Sequence, residues 1–371
     1  MSSIALVKQQ KRSIIDQYTK PDNRKGFTQV VTTLVPLAAL WWAVVQSTAV
    51  SYWLTAGLTL PIIFFLLRVF SLMHDFGHGS VFRTAVLNRV FGFVFGVMSG
   101  ISQYVWSQHH AYHHATNGNW AKYRGPLAIV TVDEYEAMTD TQRRKYARAR
   151  SIWLAPVAGF LYLLFNPRVT WLKGSVSLVA HIIRKKIAQP GISIKAHAAT
   201  FETPYWASAQ EYWHMFWTNV VLLCAWGSFS FVVGPALFFS VYLVSLSMAG
   251  GAAIVLFTVQ HNFKHSYASG NEGWDYVTAT IEGTSFLILP LWLNWFTADI
   301  AYHHIHHLSA RIPNYCLKKC HNEYENLFAD VSRVRLSEIP GALKYVLWDT
   351  RLRQIISIDE YAQKNGRTSY S

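Results

Sequence analysis

Two stretches without a formal charge constrain this chain more than any other feature. Residues 27–67 and 212–263, 41 and 52 positions long, contain no Asp, Glu, Lys or Arg. A bilayer core takes about 20 apolar residues per helix, so each stretch has room for two crossings and a tight turn. We place the spans near 27–46 and 49–69, turning at Gln46–Thr48, and near 213–233 and 235–259, turning at Gly234-Pro235. Buried hairpins of a soluble fold are the alternative, but charge-free runs this long are rare in water. Only 14% of the 371 residues are charged, against about a quarter in soluble domains, and 15% are aromatic, as interfacial rings require.

All Lys and Arg residues fall in 1–25, 68–211 and 264–371, and the hairpin tips carry none. Basic residues mark the cytoplasmic side, so both termini and the long middle segment are expected to share it. The chain then divides into a cytosolic segment (1–25), a first hairpin (26–70), a cytosolic or interfacial helical region (71–211), a second hairpin (212–260) and a cytosolic tail region (261–371). Within the middle region, 90–108 is apolar and carries Gly92, Gly96 and Gly100, a stripe that lets helices approach closely. Histidine motifs flank it on both sides, which predicts a re-entrant or interfacial helix that dips and returns. Thr131 and Glu134 form a capping box opening a basic helix over 133–150. The 17 charge-free residues 151–167 are short for a span and read as an interfacial helix, as do the 14 apolar residues 285–298. The last 64 residues read as a polar tail. Three cysteines are too few for a disulfide framework, no signal peptide is evident, and nothing points to nucleic acid.

Twelve of the sixteen histidines lie in four clusters, at 74/78, 109–114, 261/265 and 303–307. On a helix, residues three and four apart share a face, so H-x-x-x-H offers two imidazoles to one point. By the same rule His110, His113 and His114 can converge, as can His303, His306 and His307. One metal ion rarely takes more than six ligands, so eight or nine converging imidazoles imply two ions. Imidazole suits iron, zinc, copper or nickel, and no sulfur-rich structural zinc site is visible. All four clusters sit beside the presumed spans on the basic side.

The motifs H-D-F-G-H (74–78), W-S-Q-H-H-A-Y-H-H (106–114) and H-H-I-H-H-L (303–308), the last followed by I-P-N-Y, resemble the three histidine boxes of integral-membrane fatty acid desaturases. The closest branch is the acyl-lipid delta-12/omega-6 group, and the resemblance covers most of 27–315. It implies an all-α integral membrane fold: four transmembrane helices in two hairpins, with a cytosolic helical cap carrying a histidine-rich dimetal site. It also implies two iron ions that use dioxygen and two electrons to place a cis double bond in a fatty acyl chain. The implied ligands are His74, His78, His110, His113, His114, His303, His306 and His307, with His265 the best match for a further ligand beyond the fourth span. His261 stands as a ligand or a water-holding neighbour. His109 and His304 are expected to point away from the irons or to support them, and Asp75 and Asp299 to orient imidazoles. Electrons must arrive from an external ferredoxin or b-type cytochrome, which the net charge of +13 would attract, although anionic membrane lipids explain that charge equally well. A bacterial inner membrane is favoured over the endoplasmic reticulum. A membrane hydroxylase, acetylenase or ketolase would use the same ligands, and a zinc hydrolase or a histidine-lined transporter remains as a more distant alternative.

Overall fold

The computed structural model describes residues 3–125 and 128–364. Within the N-terminal segment 1–25 lies a helix, α1 (Ser3–Tyr18). It buries Val7, Ile14 and Tyr18 against Ile305, Leu308, Leu317 and Phe328, so the N-terminus forms one wall of the core behind the 303–308 motif. The half-exposed ion pair Lys8–Asp275 (2.9 Å) and the hydrogen bond from Tyr324 Oη to Gln17 (2.6 Å) fasten its edges.

The two charge-free runs fold as hairpins. Asp22 caps α2 (Asn23–Ser47) by accepting from the Arg24 amide, and Ser51 caps α3 (Tyr52–Gly77) through the Trp53 amide. After α3 the chain makes α4 (Ala85–Met98) and α5 (Gln103–Ala115), bent by 102° at the break between them. This bend falls within the apolar stretch 90–108. Gly100 takes φ +78° there, and a Cβ on Gly96 would lie 2.8 Å from Gln103 Cβ and 2.9 Å from the Ile101 carbonyl. Small residues therefore let α4 fold back on the start of α5.

The basic helix expected over 133–150 is two helices. After β1 (Val130–Thr131), the Thr131–Glu134 capping box opens α6 (Val132–Glu136), and a second box, Thr139–Gln142, opens α7 (Asp140–Arg148). Then α8 (Ala155–Phe160), a π-helical turn (Leu161–Phe165) and α9 (Asn166–Ala188) form one helix, Ile152–Ala188, of 37 residues rather than a short interfacial piece. A short α10 (Ile194–Ala199) leads to the second hairpin, α11 (Ala209–Val233) and α12 (Pro235–His261), which turns at Gly234 with φ +92°. α8 packs directly on α12: a Cβ on Gly159 would fall 2.3 Å from the Gly251 nitrogen.

The remainder is a folded layer, not a polar tail. It holds α13 (Tyr276–Ile281), β2 (Ser285–Ile288), α14 (Leu291–Phe296), α15 (His303–Leu308), α16 (Asn314–Glu323), β3 (Ser332–Arg335), α17 (Ile339–Ala342), β4 (Tyr345–Asp349), β5 (Gln354–Ser357) and α18 (Ile358–Lys364). Residues 285–298 are thus a strand followed by a helix, because β2 pairs in parallel with β3 and Pro290 starts a new element. β1, β4 and β5 form a second small sheet. The fold is accordingly mostly helical with two small sheets, where an all-α chain was expected. Among the described residues five helices are long and apolar enough to cross a membrane, α2, α3, Ile152–Ala188, α11 and α12, or six if the bent pair α4–α5 is one span.

The burial of α1 generates a stability prediction. Ile14→Ala removes a fully buried side chain and should cost about 3 kcal/mol, seen as a lower thermal midpoint of the detergent-solubilised protein. Lys8→Ala breaks only a half-exposed pair and should cost less than about 1 kcal/mol. Equal shifts from the two variants would contradict this account of α1.

Candidate metal centre

Nine histidines gather into two adjoining groups. His74, His78, His110, His114 and His306 form one, and His113, His261, His303 and His307 the other, with the candidate ligand atoms of each within 4.8 Å of one another. Helical spacing explains the division. The i, i+4 pairs 74/78, 110/114 and 303/307 each stay together, while His113 and His306 turn into the opposite group. A three-histidine box therefore serves two points, where sequence spacing alone suggested that its imidazoles meet at one. The groups touch through stacked rings of His114 and His307, centroids 4.2 Å apart.

The nitrogens face one another in a way that imidazoles cannot satisfy among themselves. His74 Nε2 lies 2.9 Å from His110 Nε2 and 3.4 Å from His78 Nε2, and His114 Nε2 lies 3.0 Å from His110 Nε2. In the second group His261 Nε2 lies 3.1 Å from His113 Nε2 and 2.9 Å from His303 Nε2. A neutral imidazole has one N–H, and for His74 the Asp75 carboxylate, 2.7 Å from Nδ1, claims it. The Gly283 carbonyl, 3.3 Å from Nδ1, does the same for His261. Both rings thus present bare lone pairs to their groups. His306 Nε2 and His307 Nε2 are buried and find no hydrogen-bond partner among the described residues.

This donor set fits metal ions. With metal–nitrogen bonds near 2.1 Å, adjacent ligand nitrogens lie about 3.0 to 3.4 Å apart, which is the spacing observed. The rings are also kept in the form that can ligate. Burial first, and neighbouring imidazoles second, hold His303, His306 and His307 well below the usual histidine pKa, so they are neutral at physiological pH. Asp75 behind His74 is the carboxylate that fixes ring orientation in metal sites.

The other sequence-predicted residues lie elsewhere. His265, expected to share a helix face with His261, is absent from both groups. α12 stops at His261, Asn262 is extended, and the His265 amide donates to the Ile355 carbonyl beside β5. At φ +58° its ring turns to Glu360, 3.4 Å away, and is half-exposed. His261 occupies the place instead. His261, read from the sequence as a ligand or a water-holding neighbour, stands at the end of α12, where the helical rule runs out one residue later. His304 points away and sets its Nε2 3.0 Å from His321 Nδ1. His109 is exposed. Asp299 is half-buried; burial, eased by Lys318 and Arg68, raises its carboxyl to about 6, and among the described residues it makes no hydrogen bond with a histidine.

Beside the groups lies a cavity of about 740 Å³, within the size range of ligand pockets, and predominantly apolar. Phe70, Trp106 and Phe257 line it together with His110, His113 and His261, so it meets both groups. Trp106 stacks on the His110 ring (4.5 Å between centroids) and donates its indole N–H to Tyr162 Oη at 2.7 Å. Trp120 is among the walls.

The arrangement agrees with what the chain is similar to. The family profile for fatty acid desaturases matches residues 47–338. A protein of Bacillus subtilis (strain 168) named fatty acid desaturase is 31% identical over 356 residues, covering 96% of this chain and 92% of its own length. The sn-1 oleoyl-lipid 12-desaturase of Anabaena variabilis is 21% identical over 340 residues, covering 90% and 85%. With apolar helices that suggest a membrane protein and histidine clusters that can hold metal, the chain belongs to the fatty acid desaturase family.

Proposed function

We propose that this chain is a diiron desaturase acting on fatty acyl chains held in membrane lipids. The observation that carries this is the pairing of two convergent nitrogen sets with one largely apolar cavity in a desaturase-family chain. Lipid as the carrier is supported by the name of the Anabaena relative, and desaturation rather than hydroxylation by the names of both relatives. Irons bound by the nine histidines would supply the oxidation of two neighbouring methylenes, with dioxygen, two electrons and two protons ending as two waters.

The protein's own part is to hold, orient and exclude. Asp75 and the Gly283 carbonyl fix two ligating rings by their Nδ1 protons. Phe257, Phe70 and Trp106 make the wall against which an acyl chain lies, and keep water from the reacting carbons. An external carrier brings the electrons, and the net charge of +13 favours an acidic one.

The same geometry supports four crossings. α3 and α12 end at histidines of adjoining groups, so both end on one side, and α4–α5 starts after His78 and returns to His114 on that side. α11 begins there as well, one hairpin before His261. The intervening helix Ile152–Ala188 must then start and finish on that face and lie along the membrane. Its length, about 55 Å, also exceeds the roughly 30 Å hydrocarbon core. By the distribution of Lys and Arg that face is cytoplasmic.

Two outcomes test this reading. Expressed in a bacterial host lacking polyunsaturated lipids, the chain should add one cis double bond to membrane acyl chains, read by gas chromatography–mass spectrometry. Hydroxy fatty acids in their place would transfer it to the hydroxylase reading. In the second test, His261→Ala should lower both bound iron and product by at least about tenfold, while His265→Ala keeps more than half of each. The reverse order would return the ninth ligand to His265.

A further inference from the structure

One side chain of the cavity wall meets both histidine groups. The Phe257 ring lies 5.9 Å from the His74 ring and 6.0 Å from that of His110, centroid to centroid, and 6.2 Å from that of His303. The first two imidazoles belong to one group and the third to the other. Among the described residues no other non-histidine ring spans them: Trp106 meets His74 and His110, and Tyr123 meets His113. Phe257 also lines the cavity. It therefore stands where the cavity wall and the junction of the two groups coincide.

The elements that build the centre also fix this ring. Phe257 is one turn before His261 on α12, so one helix face delivers both the imidazole and the ring. Buried Phe70 of α3 packs edge-on against it, with centroids 6.2 Å apart and planes at 83°. Phe70 in turn meets Trp106 edge-on at 5.8 Å. Such edge-to-face pairs hold aromatic side chains in defined orientations. The ring is thus a fixed surface beside the nitrogens.

Taking hydrogens from two neighbouring carbons makes a demand on position that taking one does not. With dioxygen, two electrons and two protons, two methylenes become a double bond and two waters form. If the second carbon is out of reach, the same dioxygen, electrons and protons place a hydroxyl on the first carbon and form one water. What the chain rests against decides which carbon reacts and whether its neighbour stays in reach. An apolar wall discriminates one methylene by about 10- to 200-fold.

We propose that Phe257 is a specificity-determining residue: its ring seats the acyl chain at the junction of the two groups, selects the carbon pair that reacts, and keeps the second carbon in place after the first has reacted. This rests on the reading that the cavity takes an acyl chain, and it assigns position and outcome to one side chain.

Phe257→Ala, Phe257→Leu and Leu161→Ala, the last widening the cavity from the π-helical turn, would be compared with the full-length wild type in three measurements. These are iron per chain, the positions of double bonds and hydroxyls in host fatty acids, and photo-crosslinking to the purified protein of phosphatidylglycerol bearing a diazirine on successive acyl carbons. The crosslinks, mapped by mass spectrometry, need no turnover. Wild type should give one double-bond position, and labels on that carbon pair should attach at or beside Phe257. Phe257→Ala should keep its iron, lose at least about tenfold of the positional preference, form hydroxy fatty acids and scatter the crosslinks. Phe257→Leu should fall between, and Leu161→Ala should keep the wild-type position. A wild-type product from Phe257→Ala, an equal spread from Leu161→Ala, or iron lost from Phe257→Ala in proportion to product would overturn the proposal. If Phe257→Ala does not fold, Phe257→Leu and the wild-type crosslinks decide, and labels attaching away from Phe257 overturn it. If wild type makes no double bond yet its crosslinks centre on Phe257, the seating stands and the desaturase reading falls.

Discussion

Nine imidazoles, six of them buried and three half-buried, converge with their lone pairs turned toward one another, and the rest of the molecule is built around that arrangement. Protein groups cannot neutralise it. Each ring has one proton, and two of those protons are already committed outward, to Asp75 and to the Gly283 carbonyl. Protonating the rings instead would put like charges together in a low-dielectric interior, which their burial opposes. Cations at the two focal points resolve the conflict, and the nitrogen spacings fit such ions.

The elements that bring the rings together are far apart in sequence, so their mutual positions depend on packing. α3 and α12 deliver His74 and His261 from two apolar hairpins, the 102° bend between α4 and α5 brings α5 to the same place, and α15 supplies His303, His306 and His307. α15 in turn is held by α1, whose Val7, Ile14 and Tyr18 fill the core against Ile305 and Leu308. The Arg68 guanidinium ties α3 to neighbouring elements by donating to Thr33 Oγ1 (2.9 Å) and lying 3.8 Å over the Trp295 ring. Close glycine contacts between α8 and α12 leave the cavity beside the histidines rather than between loose helices.

Much of this was legible in the sequence where a periodic rule applied without interruption. Charge-free runs located both hairpins and their turns, and the glycine stripe lies where α4 bends into α5. The rule that residues four apart share a face paired 74 with 78, 110 with 114 and 303 with 307. It failed where the helix ended: α12 stops at His261, so His265 could not follow it, and the partner that decides this, the Ile355 carbonyl, lies about ninety residues away. Long-range contacts were equally hidden in α1 and in β2, whose parallel pairing with β3 turned an apolar helix candidate into a strand. The second capping box, Thr139–Gln142, is written in the sequence within a basic run that reads as one helix.

The account depends on two iron ions held by these nitrogens. Its most direct test is the metal content of active protein purified from membranes of iron-replete cells, measured by plasma mass spectrometry and Mössbauer spectroscopy. About two irons per chain in nitrogen-rich coordination are predicted. One zinc per chain, or full activity in protein carrying no metal, would contradict it.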